Sequence, residues 1–490
     1  MKQVLYISVL LFVMSMSLSV CGKNKNTDYV ILASLVVKND TEWMKVVNTL
    51  QEKHNATVFF YDKEFRENLD DLKNVYPRYV AVVEKPENIG REFVMELHRM
   101  SREMDEDIYE DFLWGIITGY DAAGALKMVN NSTEPLVIRD AVSSITELKS
   151  AKWFDRYGWV EDHERDIWGE KNGPDAPVVT DSIPVDEIYT FSELYKKYDP
   201  DLVLTAYHAT EGGLNMPFWG GRLYCKDGKV IASAGPRPGD PEWELPESGK
   251  RRVYFAVGNC LIGNINKTIK SMAIAWMNSA NAATMIGYVV PTWHGRAGWG
   301  ALKYWLTYAG NYTLAEAVFM NQQDLLHQQY EWYPSLYREN YPFNKYFSET
   351  PNAKKRLKEI LGREPSLDET GFWHDRDVLA YYGDPKWNVR LQEVPGENDY
   401  TVTFKEKAKQ CVITIKTGKN FNLTQLKGDH FKQEHVLDLP FSYFFPERLK
   451  NPRLAEGQNW SVALDENFLL IYNADFESSK TYTVILDIDK

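Results

Sequence analysis

The chain has 490 residues, of which 44% are hydrophobic and 26% are charged, as in folded, soluble proteins and unlike disordered ones. Its formal net charge of −13 argues against nucleic-acid binding, which needs a clustered basic surface that the sequence lacks. The length is too great for one ordinary domain and predicts two or three.

The first twenty residues resemble a secretion signal. Lys2 supplies a positive charge, and residues 4–13 form an apolar run too short to span a bilayer. Residues 18–21 resemble a bacterial lipobox and predict that Cys21 is lipidated in the mature chain. Val20 departs from the small residue of that motif, so simple cleavage nearby stays open. We therefore expect a secreted protein or a bacterial outer-membrane or cell-surface lipoprotein, held at the membrane only by its N-terminal lipid.

Three further cysteines, Cys225, Cys260 and Cys411, lie in a compartment that is expected to be oxidising. An odd number leaves at least one thiol free unless it pairs with another chain. Cys225 and Cys411 lie in strand-like stretches, and no Cys-x-x-Cys or histidine-rich zinc spacing is present. We predict that Cys260 is the unpaired thiol and that the chain has no metal site of the zinc type.

Strand-like and helical patterns alternate through the first 140 residues. Strands are predicted at 28–37, 56–61 and 79–83, helices at 41–54 (with Thr41 as N-cap) and 89–104, and a strand, turn and helix within 107–129. This alternation predicts a parallel sheet with right-handed crossovers. Residues 150–200 are charged and loop-rich, which indicates a surface insertion, with a substrate lid as the less favoured alternative.

Two apolar, β-rich runs, residues 201–213 and 251–260, carry reactive side chains where they end: His208 and Cys260. Such runs predict buried, parallel strands, and ligands of open α/β sheets bind beyond the carboxyl ends of these strands. His208 and Cys260 are then expected side by side on one rim, as a nucleophilic Cys/His dyad requires. Either residue alone is more simply explained as structural, because free cysteines are often buried. Their matching positions favour a functional pair.

Helices are predicted after Cys260, at 270–283 and across most of 300–330, with a strand at 284–291 between them. Beyond residue 387 the pattern changes to short alternating strands without a clear helix. That pattern predicts a β-sandwich of about one hundred residues.

The order of these blocks, His after one strand and Cys after the next, resembles the caspase–legumain–gingipain class of cysteine peptidases. The order of elements over residues 30–390 resembles the gingipain-like catalytic fold. Residues 290–299 resemble the active-site loop of that family, and residues 383–385 resemble its closing Gly-Asp-Pro.

The resemblance implies an α/β fold with a caspase-like parallel sheet, flanked by helices and divided into two subdomains, followed by an immunoglobulin-like β-sandwich. The expected boundaries are a signal peptide at 1–21, an N-terminal α/β subdomain at 22–140, a catalytic α/β subdomain at 141–390 and a β-sandwich at 391–490.

The same resemblance implies the roles of the site residues. Cys260 is the nucleophilic thiolate, His208 is the general base and then acid, and the amides of Cys260 and Ala209 form the oxyanion hole. Glycine normally follows the catalytic histidine, whereas this chain has Ala209. Because alanine resists a positive φ, we expect a reshaped oxyanion hole.

The substrate pocket is expected to be walled by Trp293 and His294. If the enzyme prefers a basic residue before the scissile bond, as the resemblance implies, Asp105 and Asp107 are the nearest match to the required carboxylate. A solvated, charged turn is the favoured alternative for these two residues. Glu211 is also expected to be a solvated turn residue, although it lies close enough in sequence to orient His208.

The leading hypothesis is a secreted or surface-anchored cysteine endopeptidase that acts on peptides or proteins and needs no cofactor. Calcium stays open as a structural ion, because some related peptidases bind it. A catalytically inactive relative that serves as a binding or scaffold lipoprotein is the alternative, which Ala209 and the aromatic content favour slightly. A carbohydrate-active lipoprotein has no recognisable carboxylate motif to support it. The absence of a Gly-x-Ser-x-Gly motif or a P-loop argues against a serine hydrolase or a nucleotide enzyme.

Overall fold

The computed structural model describes residues 28–146, 148–344, 349–429 and 436–489. Cys21 and the predicted signal peptide lie outside these ranges, so the lipid anchor remains a prediction. Within the described ranges, no helix has both the length and the apolar character needed to cross a membrane.

The strands of the α/β part are β1 Tyr29–Ser34, β2 Thr57–Tyr61, β3 Tyr79–Val83, β4 Leu113–Ile117, β5 Leu136–Ile138, β6 Asp140–Ser143, β7 Arg156–Val160, β8 Ile167–Asn172, β9 Val179–Ser182, β10 Leu202–Thr205, β11 Ala209–Thr210, β12 Gly213–Asn215, β13 Arg222–Lys226, β14 Lys229–Ser233, β15 Glu242–Glu244, β16 Arg252–Ala256, β17 Ala282–Tyr288, β18 Leu379–Tyr382 and β19 Val389–Leu391. The C-terminal strands are β20 Tyr400–Lys407, β21 Gln410–Thr417, β22 Phe441–Phe444, β23 Arg453–Leu454, β24 Val462–Asp465, β25 Phe468–Ile471 and β26 Thr481–Asp487.

The α-helices are α1 Leu35–Lys38, α2 Thr41–His54, α3 Leu69–Val75, α4 Arg91–Ser101, α5 Ala122–Asn131, α6 Glu187–Tyr198, α7 Met272–Asn278, α8 Arg296–Thr307, α9 Leu314–Trp332, α10 Thr350–Leu361, α11 Leu367–Asp375 and α12 Leu423–Leu426. Short 3₁₀ turns lie at Phe65–Asn68, Pro86–Asn88, Pro217–Trp219 and Pro334–Leu336.

Twelve strands form one central sheet in the order β2-β1-β3-β4-β18-β17-β16-β10-β6-β7-β8-β9. It is mostly parallel, as predicted, but β18 runs antiparallel to β17 and parallel to β4, and at one edge β8 runs antiparallel to β7 and β9. The two blocks of parallel strands therefore point in opposite directions. Hydrogen bonding continues from one predicted α/β subdomain into the other through β18.

The first strand is shorter than the apolar run that predicts it. β1 ends at Ser34, because the Ser34 hydroxyl accepts a hydrogen bond from Val37 N and caps the one-turn helix α1. Asp40, not Thr41, caps α2, and its carboxylate accepts from the amides of Glu42 and Trp43. The amphipathic pattern of α2 is as predicted, with Val46 among its buried residues.

Residues 150–200 are not only a surface insertion, because β7, β8 and β9 extend the central sheet at one edge. Buried aromatic side chains explain why this charged stretch folds. The rings of Tyr157 and Trp159 stack with their centroids 5.1 Å apart. Gly169 on β8 lies beneath Trp159, where a Cβ atom would come within 2.1 Å of the ring.

The C-terminal strands form two antiparallel sheets, β20-β21-β26-β23 and β22-β25-β24. β21 alternates in the way a half-buried strand requires, with Cys411, Ile413 and Ile415 buried. Aromatic rings connect the two sheets, for example Tyr400 with Phe441 at 6.1 Å between centroids. This arrangement agrees with the predicted two-sheet organisation, whereas the immunoglobulin-like assignment remains a prediction.

Candidate active site

His208 and Cys260 follow two neighbouring parallel strands of the central sheet. β10 pairs with β16 in the register Leu202–Val253 to Thr205–Ala256, so both strands end at the same level of the same rim. β10 also pairs with β6, which precedes it in the chain, and β6 has β7 on its other side. The chain therefore reverses its direction of travel across the sheet beside these strands, where α/β sheets open a crevice for ligands.

Asn259 connects the two segments that carry His208 and Cys260. Its side chain is fully buried; its Nδ2 donates to the Tyr207 carbonyl at 3.0 Å, and its Oδ1 accepts from the Thr205 hydroxyl at 2.6 Å. Asn259, the residue before Cys260, thus holds Tyr207, the residue before His208. Both bonds lie in a buried environment where a lost partner is costly, so they fix the relative position of the two segments.

The Cys260 thiol is free and half-buried. Its Sγ accepts a hydrogen bond from the Thr292 amide at 3.3 Å, and the neighbouring Leu261 amide donates to the Val290 carbonyl at 3.0 Å. The segment after β17 therefore lies against the cysteine. An amide directed at sulfur stabilises the negative charge of a thiolate.

The other two described cysteines are poor nucleophiles. Burial raises the pKa of the Cys411 thiol to about 11, and burial also raises the pKa of Cys225. Since the thiolate is the reactive form, neither is expected to attack a carbonyl near neutral pH. Cys260 remains the candidate nucleophile.

The His208 ring is covered on one side by an exposed tryptophan. Trp219 stacks on it at 5.4 Å between centroids and an interplanar angle of 24°, and Trp219 is 65% exposed. Tyr207, just before the histidine, has a φ of 147°, in the region that L-residues seldom adopt. Backbone strain directly before a reactive side chain is typical of functional sites.

The backbone at Ala209 does not need the positive φ that alanine resists. Ala209 lies in β11 opposite Leu214 and is not among the described residues with a positive φ, whereas Tyr207 and Leu261 are. The His208 carbonyl accepts from the Asn215 amide at 2.9 Å, which fixes the turn after the histidine. Alanine is therefore compatible with this backbone, and the oxyanion-hole role of the Ala209 and Cys260 amides remains a prediction.

Glu211 does not orient His208. Its carboxylate accepts from Asn264 Nδ2 at 3.3 Å, and its carbonyl accepts from the Met272 amide at 2.8 Å. Glu211 therefore braces the segment that follows Cys260 and is half-buried there, whereas the sequence predicted a solvated turn residue.

Trp293 and His294, both predicted to wall the substrate pocket, lie in different environments. Trp293 is 60% exposed beside Thr292, in a position to contact a substrate. His294 is instead buried against Gly371, with its ring centroid 5.2 Å from that of His374. Gly295, with a φ of 74°, turns the chain inward at this point. His294 is thus a core residue behind the loop.

His294 makes the stability of the protein sensitive to acid. Burial lowers its pKa from 6.5 to about 4, and neither ring nitrogen has a hydrogen-bond partner among the described residues. Because the pKa of His294 is lower in the folded chain than in the unfolded chain, the ring is neutral in both above about pH 6.5 and the full stability is present there. As the pH falls from 6.5 towards 4, the unfolded chain binds a proton that the folded chain does not, and the free energy of unfolding decreases by up to about 3 kcal/mol.

We expect His294→Leu to reduce this loss, since it removes the group that must be charged in acid. Urea unfolding at pH 4.0 and 7.5 gives the pH-dependent change in the free energy of unfolding for each protein. The variant leaves unchanged the charged and titratable groups that act on the His294 pKa, which are Asp375, His374, Arg296 and Lys354. His163→Leu, at a side chain 63% exposed, is the control and should behave like the wild type. An identical pH dependence in His294→Leu and wild type would contradict the prediction.

Two cavities border the ends of β10 and β16. One, of about 330 Å³, is lined by His208, by the β11–β12 hairpin and by the start of β13. The other, of about 800 Å³, is lined by Thr210, Glu211 and Leu261 on one side and by the start of α4 on the other. Together they give space for an extended chain on both sides of the His208 turn.

Asp105 and Asp107 do not line either cavity. The structure places Asp105 in a cluster with Asp111, Asp465 and Glu466, whose ligand atoms all lie within 4.8 Å of one another. Asp465 ends β24 and Glu466 follows it in the turn to β25, because the C-terminal sheets pack against the segment between α4 and β4 here. The Asn467 side chain confirms this contact by donating to the Asp111 carbonyl at 2.9 Å.

This acidic cluster has too few donors for its carboxylates. Tyr76 OH contacts Asp105, Asp111 and Glu466 at 2.8–3.2 Å. Among the described residues, Arg448 is the one guanidinium in contact with the cluster, 3.3 Å from Glu466 and 4.0 Å from Asp111. Burial and mutual repulsion raise the pKa values of the buried acids, and burial raises that of the adjacent Asp107 to about 7.

Three acceptor oxygens of this region have no partner among the described residues: Asp111 Oδ2, Asp465 Oδ2 and Asn467 Oδ1. All three side chains are buried. Calcium binds six to eight oxygens at 2.3–2.6 Å, so ligands on opposite sides of one ion lie about 5 Å apart. The span of the cluster and its orphaned oxygens fit such an ion.

Several site residues are not recognisable in the sequence. Asn259 and Thr292 act through a buried side chain and a backbone amide, and Trp219 reaches His208 from a separate turn. Asn259 directly precedes the candidate nucleophile, which is a weak signal. Nothing in the sequence distinguishes Trp219 among fifteen tryptophans.

No protein-family model matches the chain, and no curated protein sequence matches it. Among solved structures it is similar to gingipain R, an Arg-specific cysteine proteinase, with 9% identity and a TM-score of 0.42 over 96% of this chain and 93% of that chain. A complex of the pro- and mature domains of RgpB from Porphyromonas gingivalis gives 10% identity and a TM-score of 0.39 over 94% and 93% of the two chains. A third structure, described as a protease, gives 9% identity and a TM-score of 0.39 over 81% of this chain and 86% of that chain. Likeness at this level assigns no activity, which has to be inferred from the site.

Proposed function

We propose that the protein is a cysteine endopeptidase in which Cys260 is the nucleophile and His208 the general base and acid. The observation that carries the proposal is their position after two neighbouring parallel strands, held together by Asn259. The free, half-buried thiol and the two adjoining cavities support it. Peptides or proteins are the substrates, and nucleic acid is not a partner.

His208 takes the thiol proton, and the Cys260 sulfur attacks the carbonyl carbon of the scissile bond. The oxyanion that forms is stabilised by backbone N–H donors, for which the amides of Cys260 and Ala209 are the candidates. As the C–N bond breaks, His208 gives its proton to the leaving amine. Water, activated by the same histidine, then hydrolyses the thioester and restores the thiol.

Labelling with a library of thiol-reactive peptide probes tests the proposal. Peptide-dependent labelling that maps to Cys260 and that His208→Ala abolishes is the expected result. Labelling of Cys225 alone, or labelling that does not depend on the peptide, would refute the dyad. It would favour the inactive binding protein.

Calcium is proposed as a structural ion in the cluster of Asp105, Asp111, Asp465 and Glu466. The orphaned oxygens of Asp111 and Asp465 support this proposal, and the ion would neutralise charge that Arg448 alone does not. Its ligands come from the first α/β unit and from the C-terminal sheets, so it would join the two. No step of peptide hydrolysis depends on it.

Export as a lipoprotein is proposed from the lipobox-like residues 18–21. We expect the mature chain to begin at Cys21 with the mass of its acyl groups, on the outside of a bacterial membrane. Mass spectrometry of the native N-terminus measures this directly. A soluble product that starts elsewhere and lacks acyl mass would rule out the anchor.

A further inference from the structure

We propose that Arg222 binds an acidic side chain of the substrate close to the scissile bond. This specificity rests on the proposed peptidase function and is opposite to the basic preference expected from the family resemblance. It follows from the place of Arg222 in the small sheet beside His208.

The pleat of that sheet puts His208 and Arg222 on one face. Asn215 is directly opposite Arg222, and the Asn215 amide binds the His208 carbonyl. Residues directly opposite one another in antiparallel strands point to the same side, so the three side chains form a row. Leu214 and Leu223, which lie one position away on the same two strands, point to the opposite side and are buried in the core.

The spacing of this row suits a residue near the cleaved bond. Neighbouring strands lie about 4.8 Å apart, so Arg222 is about 10 Å from His208 across two strand spacings. An extended peptide advances about 3.4 Å per residue, which places the recognised side chain within about three residues of the scissile bond. Both His208 and Arg222 line the 330 Å³ cavity, and a Cβ atom on Gly212, which also lines it, would have no atom within 4 Å.

The Arg222 guanidinium is available to a ligand. No aspartate or glutamate in the described ranges forms an ion pair with it, its Nε has no partner there, and its carbon lies 4.8 Å from the Tyr224 ring centroid. Glu242, the acid on the same row of the sheet, is bound by Lys226 at 2.6 Å and by the Tyr224 hydroxyl. The Arg222 charge also contributes to lowering the pKa of Glu242, but the two form no salt bridge in the described ranges. Arginine presents paired N–H donors that match a carboxylate.

A second cavity, of about 400 Å³, also borders Arg222. Two arginines, Arg222 and Arg237, and two acids, Asp240 and Glu242, line it, so it adds no net positive charge. The Asp240 carboxylate accepts from the Arg237 amide at 2.7 Å. The acidic preference is therefore expected from Arg222 alone.

The test is a set of fluorogenic peptides that place Asp, Asn or Lys at each of the three positions on either side of one bond. We expect the wild type to cleave the Asp peptide about 10- to 100-fold more efficiently than its Asn partner at one position. Arg222→Gln should remove this preference, and Arg222→Glu should shift it towards Lys. Lys229→Gln, on the same sheet and bound to Glu244, is the matched control and should keep it.

The rate at which iodoacetamide alkylates Cys260 does not depend on substrate side chains and should be unchanged in the Arg222 variants. Equal cleavage of Asp, Asn and Lys peptides, or a preference for Lys in wild type, would overturn the inference while the peptidase stands. A preference that depends on a free peptide C-terminus, lost on amidation, would also overturn it. If no peptide is cleaved, the peptidase fails. The inference is then decided by the affinity of Asp peptides for the Cys260→Ala variant, which the additional Arg222→Gln substitution should weaken tenfold. Equal affinity with and without Arg222→Gln would overturn the inference.

Discussion

Cys260→Ala is expected to lower peptide hydrolysis by at least about a thousandfold, and His208→Ala to do the same, without loss of the fold. The reason is that each removes a group that takes part directly in bond cleavage, and such losses cost orders of magnitude in rate. Because the two act as one unit, the double variant should be little worse than either single one. Initial rates on a fluorogenic substrate give the effect, and thermal unfolding monitors the fold.

Cys225→Ala and His163→Ala are the matched controls for this experiment. Cys225 is also a free, half-buried thiol, and His163 is largely exposed. Both variants should retain wild-type rates. Near-wild-type turnover by Cys260→Ala in a preparation free of other peptidases would show that the dyad is wrongly assigned.

The addition of calcium should raise the melting temperature by several degrees. An ion that binds only the folded state stabilises by about 2.7 kcal/mol at one hundred times its dissociation constant. Asp465→Asn should lose this shift, and in the presence of EDTA it should be at least as stable as the wild type, because it also removes like-charge repulsion inside the cluster. Thermal unfolding with EDTA, calcium or magnesium is the measurement. Magnesium should act more weakly, since it demands a tight octahedral shell.

Glu477→Gln is the control for the calcium experiment, since Glu477 is an exposed acid of the same C-terminal domain with a side chain 74% exposed. It should keep the full calcium shift. The absence of any shift in the wild type, or an equal shift in wild type and Asp465→Asn, would contradict a calcium site in this cluster.

Local patterns in the sequence were enough to predict the longer helices and most of the buried parallel strands of the α/β part, but not its short strands. The amphipathic spacing of α2 and the apolar runs of β10 and β16 each depend on neighbouring residues alone. Element ends were less well predicted, because Ser34 and Asp40 compete for the backbone donors at the end of β1 and the start of α2.

Local sequence patterns did not predict the directions of the strands or the environment of the candidate pocket carboxylates. The antiparallel pairing of β17 with β18 reverses one block of parallel strands against the other. Asp105 looked like a pocket residue because it precedes a strand in an acidic run. Its partners Asp465 and Glu466 lie about 360 residues away in the chain, and only the packing of the C-terminal sheets brings them together.

The sequence by itself determined that His208 and Cys260 each follow a buried parallel strand, because hydrophobic runs and turn residues are local signals. Which strands are neighbours, and in what register, was decided by the tertiary structure, since pairing depends on the whole sheet. The same is true of Asn259, of the Thr292 amide on the sulfur and of the row from His208 to Arg222. These contacts join segments that are distant in sequence, and no local pattern encodes them.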